Sequence, residues 1–203
     1  TVISTLTFTA ANWNSAQNVT VTGADDNIID GTITSTITTS IIDAISDDNF
    51  DSVADQTVSV TTTDDDVAGF TIAQSGGSTT VSESGTTDTF TVVLNAQPAS
   101  NVVLNITSSD TGEATVTGTL TFTSGNWNTA QTVTVTGVND NIIDGAITST
   151  LTVAVNDGSS DNNFDPVADQ TVSVTTTDND VAGFTIVESG GSTSVAETGT
   201  TDT

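Results

Sequence analysis

The chain has 203 residues, of which 26 are Asp or Glu and none is Lys, Arg or His, so its formal charge is −26. With no basic side chain it has nothing to neutralise phosphate, which makes nucleic acid and anionic membrane surfaces poor partners: no nucleic acid and no direct membrane insertion are expected. The lack of Cys, His and Lys excludes disulfides, thiol nucleophiles, Ser-His-Asp triads, typical zinc sites, Schiff bases and Walker-type phosphate loops.

Along the chain, strand patterns dominate and no segment carries a helical period. Ser75-Gly76-Gly77-Ser78 marks a turn, and Phe90, Val92 and Leu94 then alternate with Thr. Leu120 with Phe122 and Val133 with Val135 predict further strands. Ile147, Leu151, Val153 and Val155 keep one two-residue phase, Asp157-Gly158-Ser159-Ser160 turns the chain, and Val172 with Val174 closes the set. Apolar residues on one face and Thr on the other describe half-buried antiparallel strands. With 34% apolar residues the chain can bury a core despite its charge. About seven or eight short strands per unit predict an all-β, immunoglobulin-like two-sheet sandwich. No apolar run approaches the roughly 20 residues of a membrane span, and no signal peptide is visible.

The sandwich is written more than once. Residues 1–89 align without a gap on 115–203 with 65 of 89 positions identical, a period of 114 residues. Trp13 recurs as Trp127, Phe50 as Phe164 and Asp66 as Asp180. Such repetition points to an array. The frame places one complete unit at 67–180, the C-terminal part of another at 1–66, and the first strands of a third at 181–203. The partial units lack any counterpart of residues 90–114, so residues 1–66 are expected to need strands from a neighbour. The chain thus reads as an excerpt of a longer secreted protein.

The acids cluster in loops. Asp25-Asp26-Asn27 with Asp30, Asp47-Asp48-Asn49 with Asp51, and Asp64-Asp65-Asp66 all recur one period on. Hard oxygens in flexible loops suit calcium, which takes six to eight oxygen ligands in irregular geometry, better than magnesium, which demands an octahedron. Of 14 aligned positions acidic in at least one copy, ten are acidic in both, and the other four exchange acid for amide, keeping an oxygen able to ligate. Solvated surface charge is the competing reading. Asp25-Asp26-Asn27-Ile28-Ile29-Asp30-Gly31 lacks EF-hand spacing and its twelfth-position Glu, and the Gly-rich nonapeptide of calcium-binding β-helices is missing.

One family pattern does match. Asp64-Asp65-Asp66-Val67-Ala68-Gly69-Phe70-Thr71, Val81-Ser82-Glu83-Ser84-Gly85, Leu120-Thr121-Phe122, and Val133-Thr134-Val135 leading to Asn139-Asp140-Asn141 and Asp144 resemble the Calx-beta domain, particularly its tandem bacterial surface versions. The resemblance spans the 114-residue unit and implies an immunoglobulin-like sandwich holding Ca2+ at one end. By position, the implied ligands are Glu83, Asp140, Asp178 and Asp180, with Asn139, Asp144 and Asn179 beside them. In the preceding unit they are Asp25, Asp26, Asp64, Asp65 and Asp66, with Asp30. Glu113 lies near another ligand position of the family, although the local match is poor. Asn139 and Asn179 depart from the exchanger pattern and imply lower affinity or fewer ions. The Phe164 loop, with Asp157, Asp161, Asp165 and Asp169, falls outside the motif and reads as a second cluster or as solvated charge. Cadherin arrays share only Asp-Asn-Asp, and their Arg-containing motif has no counterpart.

Because the acidic triplet ends one unit and starts the next, a cation there is expected to pin the joint, and facing carboxylates without one should loosen it. Trp13 and Trp127 are expected to cap the end of the sandwich core rather than to stack on sugars. Paired acids without a basic partner argue against glycoside hydrolysis. Asn18-Val19-Thr20 and Asn105-Ile106-Thr107 match glycosylation sequons. The expected function is a non-catalytic, calcium-binding structural repeat of an extracellular or cell-surface fibre, biofilm matrix or adhesin stalk. Its partners are calcium ions and copies of itself, end to end and laterally. The alternatives are a glycan- or surface-binding adhesion module and spacer repeats of a large secreted enzyme.

Overall fold

A computed structural model of the chain describes Val2 and residues 5–202. Among these residues there is no α-helix, only short 3-10 turns between eleven strands. They are β1 (Ile33–Thr39), β2 (Gln56–Thr62), β3 (Phe70–Gln74), β4 (Thr79–Ser82), β5 (Thr87–Leu94) and β6 (Val102–Ser108). Then follow β7 (Ala114–Val116), β8 (Thr119–Phe122), β9 (Gln131–Gly137), β10 (Ile147–Val155) and β11 (Gln170–Thr177).

From β3 to β11 the strands form a two-layer sandwich, one layer ordered β4-β11-β10-β6-β8 and the other β3-β5-β9-β7. All pairs are antiparallel except β4 with β11, which run parallel from Thr79↔Val174 to Ser82↔Thr177. The turn at Ser75–Gly77 sends the chain from one layer into the other, so β3 and β4 sit at edges of different sheets. The alternating residues meet between the layers: Phe90, Val92 and Leu94 of β5 and Val133 and Val135 of β9 face Leu104, Phe122, Leu151, Val153, Val172 and Val174. Burying side chains of this size contributes roughly 1.5–3 kcal/mol each. In β10 the predicted phase is interrupted at Ser149, which is buried with no partner for its hydroxyl.

The Phe164 loop closes one end of the sandwich. Phe164 is fully buried in the core. Asp161 is also buried, and its carboxylate accepts the N–H groups of Ala99 (2.7 Å), Ser100 (2.9 Å) and Asn163 (3.0 Å). Burial raises the pKa of Asp161, but these three bonds outweigh it and hold the pKa below the usual value. Asp161 is therefore a loop fastener rather than solvated charge. Asp88 is an exception to the loop placement of the acids: it lies on β5 and accepts the Thr80 N–H at 2.9 Å.

Residues 1–66 reproduce the local structure of their repeat without its burial. β1 pairs with β2 in the register of β10 with β11, Ile33↔Thr62 matching Ile147↔Thr176. The Val2–Val21 bridge likewise matches Val116↔Val135. Yet Val58 and Phe50 are exposed where Val172 and Phe164 are buried. Local sequence is enough for pairing and register, whereas burial needs the opposing layer, and residues 1–66 contain no counterpart of its strands β3 and β5. The same lack corrects the expectation for the tryptophans. Trp127 packs against the core and its carbonyl accepts the Leu94 N–H of β5, but Trp13 is 71% exposed. At the other end Phe184, the twin of Phe70, is exposed, because no β5 stands beside it.

Candidate metal centre

Four chain segments bring their ends to one pole of the sandwich. Parallel pairing of β4 with β11 places Glu83 and Asp178–Asp180 side by side, just past the two C-terminal ends. Ala114 of β7 pairs with Gly137 of β9, which sets Glu113 opposite Val138 and next to the loop carrying Asp140. The close approach of β9 to β4 requires glycine. A Cβ at Gly137 would lie 2.1 Å from the Ser82 carbonyl oxygen.

The carboxylates so assembled are crowded, the two glutamates buried and Asp140, Asp178 and Asp180 half-buried. Glu83 is 1% exposed and Glu113 6%. One oxygen each of Glu83, Glu113 and Asp140 lie within 4.8 Å of one another, as do oxygens of Glu83, Asp178 and Asp180. Glu83 belongs to both groups. Glu113 Oε2 and Asp180 Oδ2 are buried without a hydrogen-bond partner, an arrangement proteins avoid unless something else meets the lone pairs. The N–H of Asn179 donates to Glu83 Oε2 at 3.2 Å and favours its charge. Burial and the charges of Asp178, Asp140 and Asp144 outweigh that bond and raise the pKa of Glu83. For Glu113, burial first and then the charges of Asp144, Asp110 and Asp140 push the pKa up. Asp178 goes the other way, held down by the N–H groups of Asp180 and Gly145.

Of the residues expected here, Glu83, Asp140, Asp178 and Asp180 meet in these two groups. Asp144 is exposed and outside them, close enough for its charge to act on both glutamates. Asn139 and Asn179 are engaged with each other, Asn179 Nδ2 donating to Asn139 Oδ1 at 3.1 Å, so they tie the two loops together. Glu113 is the residue the sequence reading left outside the set. Its signal was the family position, and only the β7–β9 register carries its side chain to Glu83.

In the preceding unit, Asp25, Asp26, Asp30, Asp64, Asp65 and Asp66 line one open groove. Asp64 accepts the N–H groups of Asp66 (2.9 Å) and Gly31 (2.7 Å), which hold its pKa down. For Asp66, burial and then the charges of Asp64, Asp65, Asp26 and Asp25 raise it. Among the described residues these aspartates form no group as tight as the two above. Glu83 and Glu113 belong to the stretch 67–114 of the repeat, which has no counterpart within residues 1–66.

The acidic groups gathered at the pole offer hard carboxylate oxygens, the kind of donor calcium takes, and the chain holds no cationic side chain to neutralise them. No protein-family model and no curated protein matches this chain. Among solved structures it is similar to the apo form of the Calx CBD1 domain, at 15% identity over 55% of this chain and 98% of that one, with a TM-score of 0.39. It is also similar to domains 4 and 5 of the S-layer protein SbsC, at 25% identity over 62% of this chain and 54% of that one, TM-score 0.38. The chaperone DraB of E. coli matches at 8% identity over 58% of this chain and 59% of that one, TM-score 0.40. At these values the likeness concerns the arrangement of strands and carries nothing about ligand or partner.

Proposed function

We propose that this chain is a non-catalytic, calcium-binding structural repeat of an extracellular fibre, matrix protein or adhesin stalk, in which Ca2+ stiffens the joints between sandwiches. The observation that carries the reading is the pair of buried glutamates, Glu83 and Glu113, converging with Asp140 in a chain that has no Lys, Arg or His. Buried like charges at this spacing oppose folding unless protons or a cation neutralise them. Calcium supplies that charge and uses the partnerless oxygens of Glu113 and Asp180. Because Glu83 belongs to both groups, the ligands suit one ion or two sharing that carboxylate. Asp178 and Asp180 stand at the exit of β11, where the chain leaves the unit, so an ion there fastens the joint as well as the sandwich.

Thermal unfolding and small-angle scattering of the chain, in calcium and in chelator, test this directly. Calcium is expected to raise the melting temperature of the 67–180 sandwich with a concentration dependence set by its affinity, and to lengthen and stiffen the particle. Identical melting and scattering curves in the two conditions would remove calcium from the reading. Titration calorimetry then counts the ions bound.

A further inference from the structure

The loop that carries the first set of aspartates continues onto the next sandwich. Ile28 forms a parallel bridge with Gln97, whose N–H donates to the Asn27 carbonyl at 2.7 Å. Asn163 Nδ2 donates to the Ile29 carbonyl at 3.2 Å, and Ile29 packs against the core. Gln97 follows the C-terminal end of β5 and Asn163 adjoins Phe164, so the seat is the pole opposite Glu83.

One period later the same loop stands open. Asn141-Ile142-Ile143-Asp144-Gly145 repeats Asn27-Ile28-Ile29-Asp30-Gly31 letter for letter. Matching bonds shape it: Asp26 Oδ1 accepts the Ile28 N–H at 2.9 Å and Asp140 Oδ1 that of Ile142 at 2.6 Å. Gly31 and Gly145, both at positive φ, donate to Asp64 and Asp178 at 2.7 and 2.9 Å. Ile142 and Ile143 are nevertheless 61% and 55% exposed, against 37% for Ile28.

We propose that Ile142–Ile143 is a docking plug, and that its partner is the Gln97–Asn163 pole of a further copy of this 114-residue repeat, seated as Ile28–Ile29 is. The chain itself displays the complementarity, since an identical loop already occupies an identical kind of seat. Plug and seat lie on opposite poles, so the contact is heterologous and propagates a linear array instead of closing on itself. The contact is apolar and backbone-based, and therefore stands apart from the calcium reading.

The absence of Cys allows thiols to be placed singly. In the full chain extended to complete a third repeat beyond Asp180, Ile142→Cys is combined with Cys at the added repeat's counterpart of Gln97. Ile28→Cys with Gln97→Cys is the reference pair. Under mild oxidation, in chelator and in calcium, both pairs are expected to close to similar extents. Ile143→Asp should lower closure of the first pair about tenfold, the loss expected when an aliphatic side chain gives up half its burial. Ile29→Asp should lower only the reference pair. Closure of the reference pair without the Ile142 pair, in a chain whose third repeat melts cooperatively, overturns the proposal. Because the chelator arm reads the plug without an ion, loss of the calcium reading leaves this result standing.

Discussion

Replacing Gly137 by Ala tests the geometry of the carboxylate pole more sharply than removing any acid. The added Cβ would lie 2.1 Å from the Ser82 carbonyl oxygen and 2.7 Å from its carbon. Its φ is not in the left-handed region, so the substitution tests space alone. Relief requires the Ser82–Glu83 turn to retreat by at least about 1 Å, given ordinary contact distances. That retreat strains the Gly137 N–H bond to the Thr86 carbonyl (3.0 Å) and the Glu83 N–H bond to the Thr177 carbonyl (3.1 Å). Overpacking costs about 1–3 kcal/mol and a weakened backbone bond about 1 kcal/mol more. Against this, Gly→Ala gains roughly 0.5 kcal/mol through the unfolded chain. The net loss of about 2–3 kcal/mol corresponds to a fall of roughly 8–15 °C in Tm for a unit of this size. The repeat supplies its own control. Gly23, one period earlier, has only Thr62 Cγ2 at 3.8 Å, so Gly23→Ala should be neutral or slightly stabilising. Calorimetry, or Trp127 fluorescence in a Trp13→Phe background, reads the complete sandwich. A Gly137→Ala chain melting within about 2 °C of Gly23→Ala would refute the close approach, and with it the placement of Glu83.

Glu113→Gln removes one of the crowded charges while keeping the side-chain shape, so it should raise the melting temperature in chelator and weaken calcium binding about tenfold or more, as the ligand charge count falls; melting in both conditions with a calcium titration checks the crossover. In chelator, stability should peak at mildly acidic pH. Glu83 and Glu113 are raised above the ordinary 4.5, so the stability they give is full below that value and is lost as pH rises through their folded pKa values. Asp161 and Asp178 are lowered from 3.8, so theirs is present above that value and lost as pH falls through their folded values. Saturating calcium should abolish the high-pH loss and leave the low-pH one, a contrast that melting across pH in both conditions reads. Asp161→Ala strands three backbone N–H groups and should cost about 2–4 kcal/mol by chemical denaturation; Asp47→Ala, whose carboxylate accepts only from Asn49, should change little.

The sandwich was legible because its signal is local. Two-residue alternation in β5, β9, β10 and β11 gave the buried face, and the repeat showed that the hairpin from Ile147 to Thr176 occurs twice. Illegible were the features that depend on which strand lies beside which. Glu113 reaches Glu83 only through the β7–β9 register. The different fates of Trp13 and Trp127, or of Phe50 and Phe164, lie in the opposing layer, since the local sequences are nearly the same. Asp161 looked like one more loop acid because its partners, Ala99 and Ser100, are backbone donors that no side-chain pattern marks.

One loop carries both the acids and the plug, and its own hydrogen bonds tie the two together. Asp140 offers one carboxylate to the group with Glu83 and Glu113, and its Oδ1 also accepts the Ile142 N–H. Asp178 offers an oxygen to the second group and accepts the Gly145 N–H that ends the same loop. The loop is therefore anchored at both ends by carboxylates of the pole, with Ile142 and Ile143 between the anchors. Mutual repulsion among those carboxylates acts on their side chains, while the N–H bonds to Asp140 and Asp178 hold the plug in its docking shape with or without an ion. With no Lys or Arg in the chain, counter-charge near Glu83 has to come from outside, and on the proposed reading the stiffness of the array then follows the surrounding calcium.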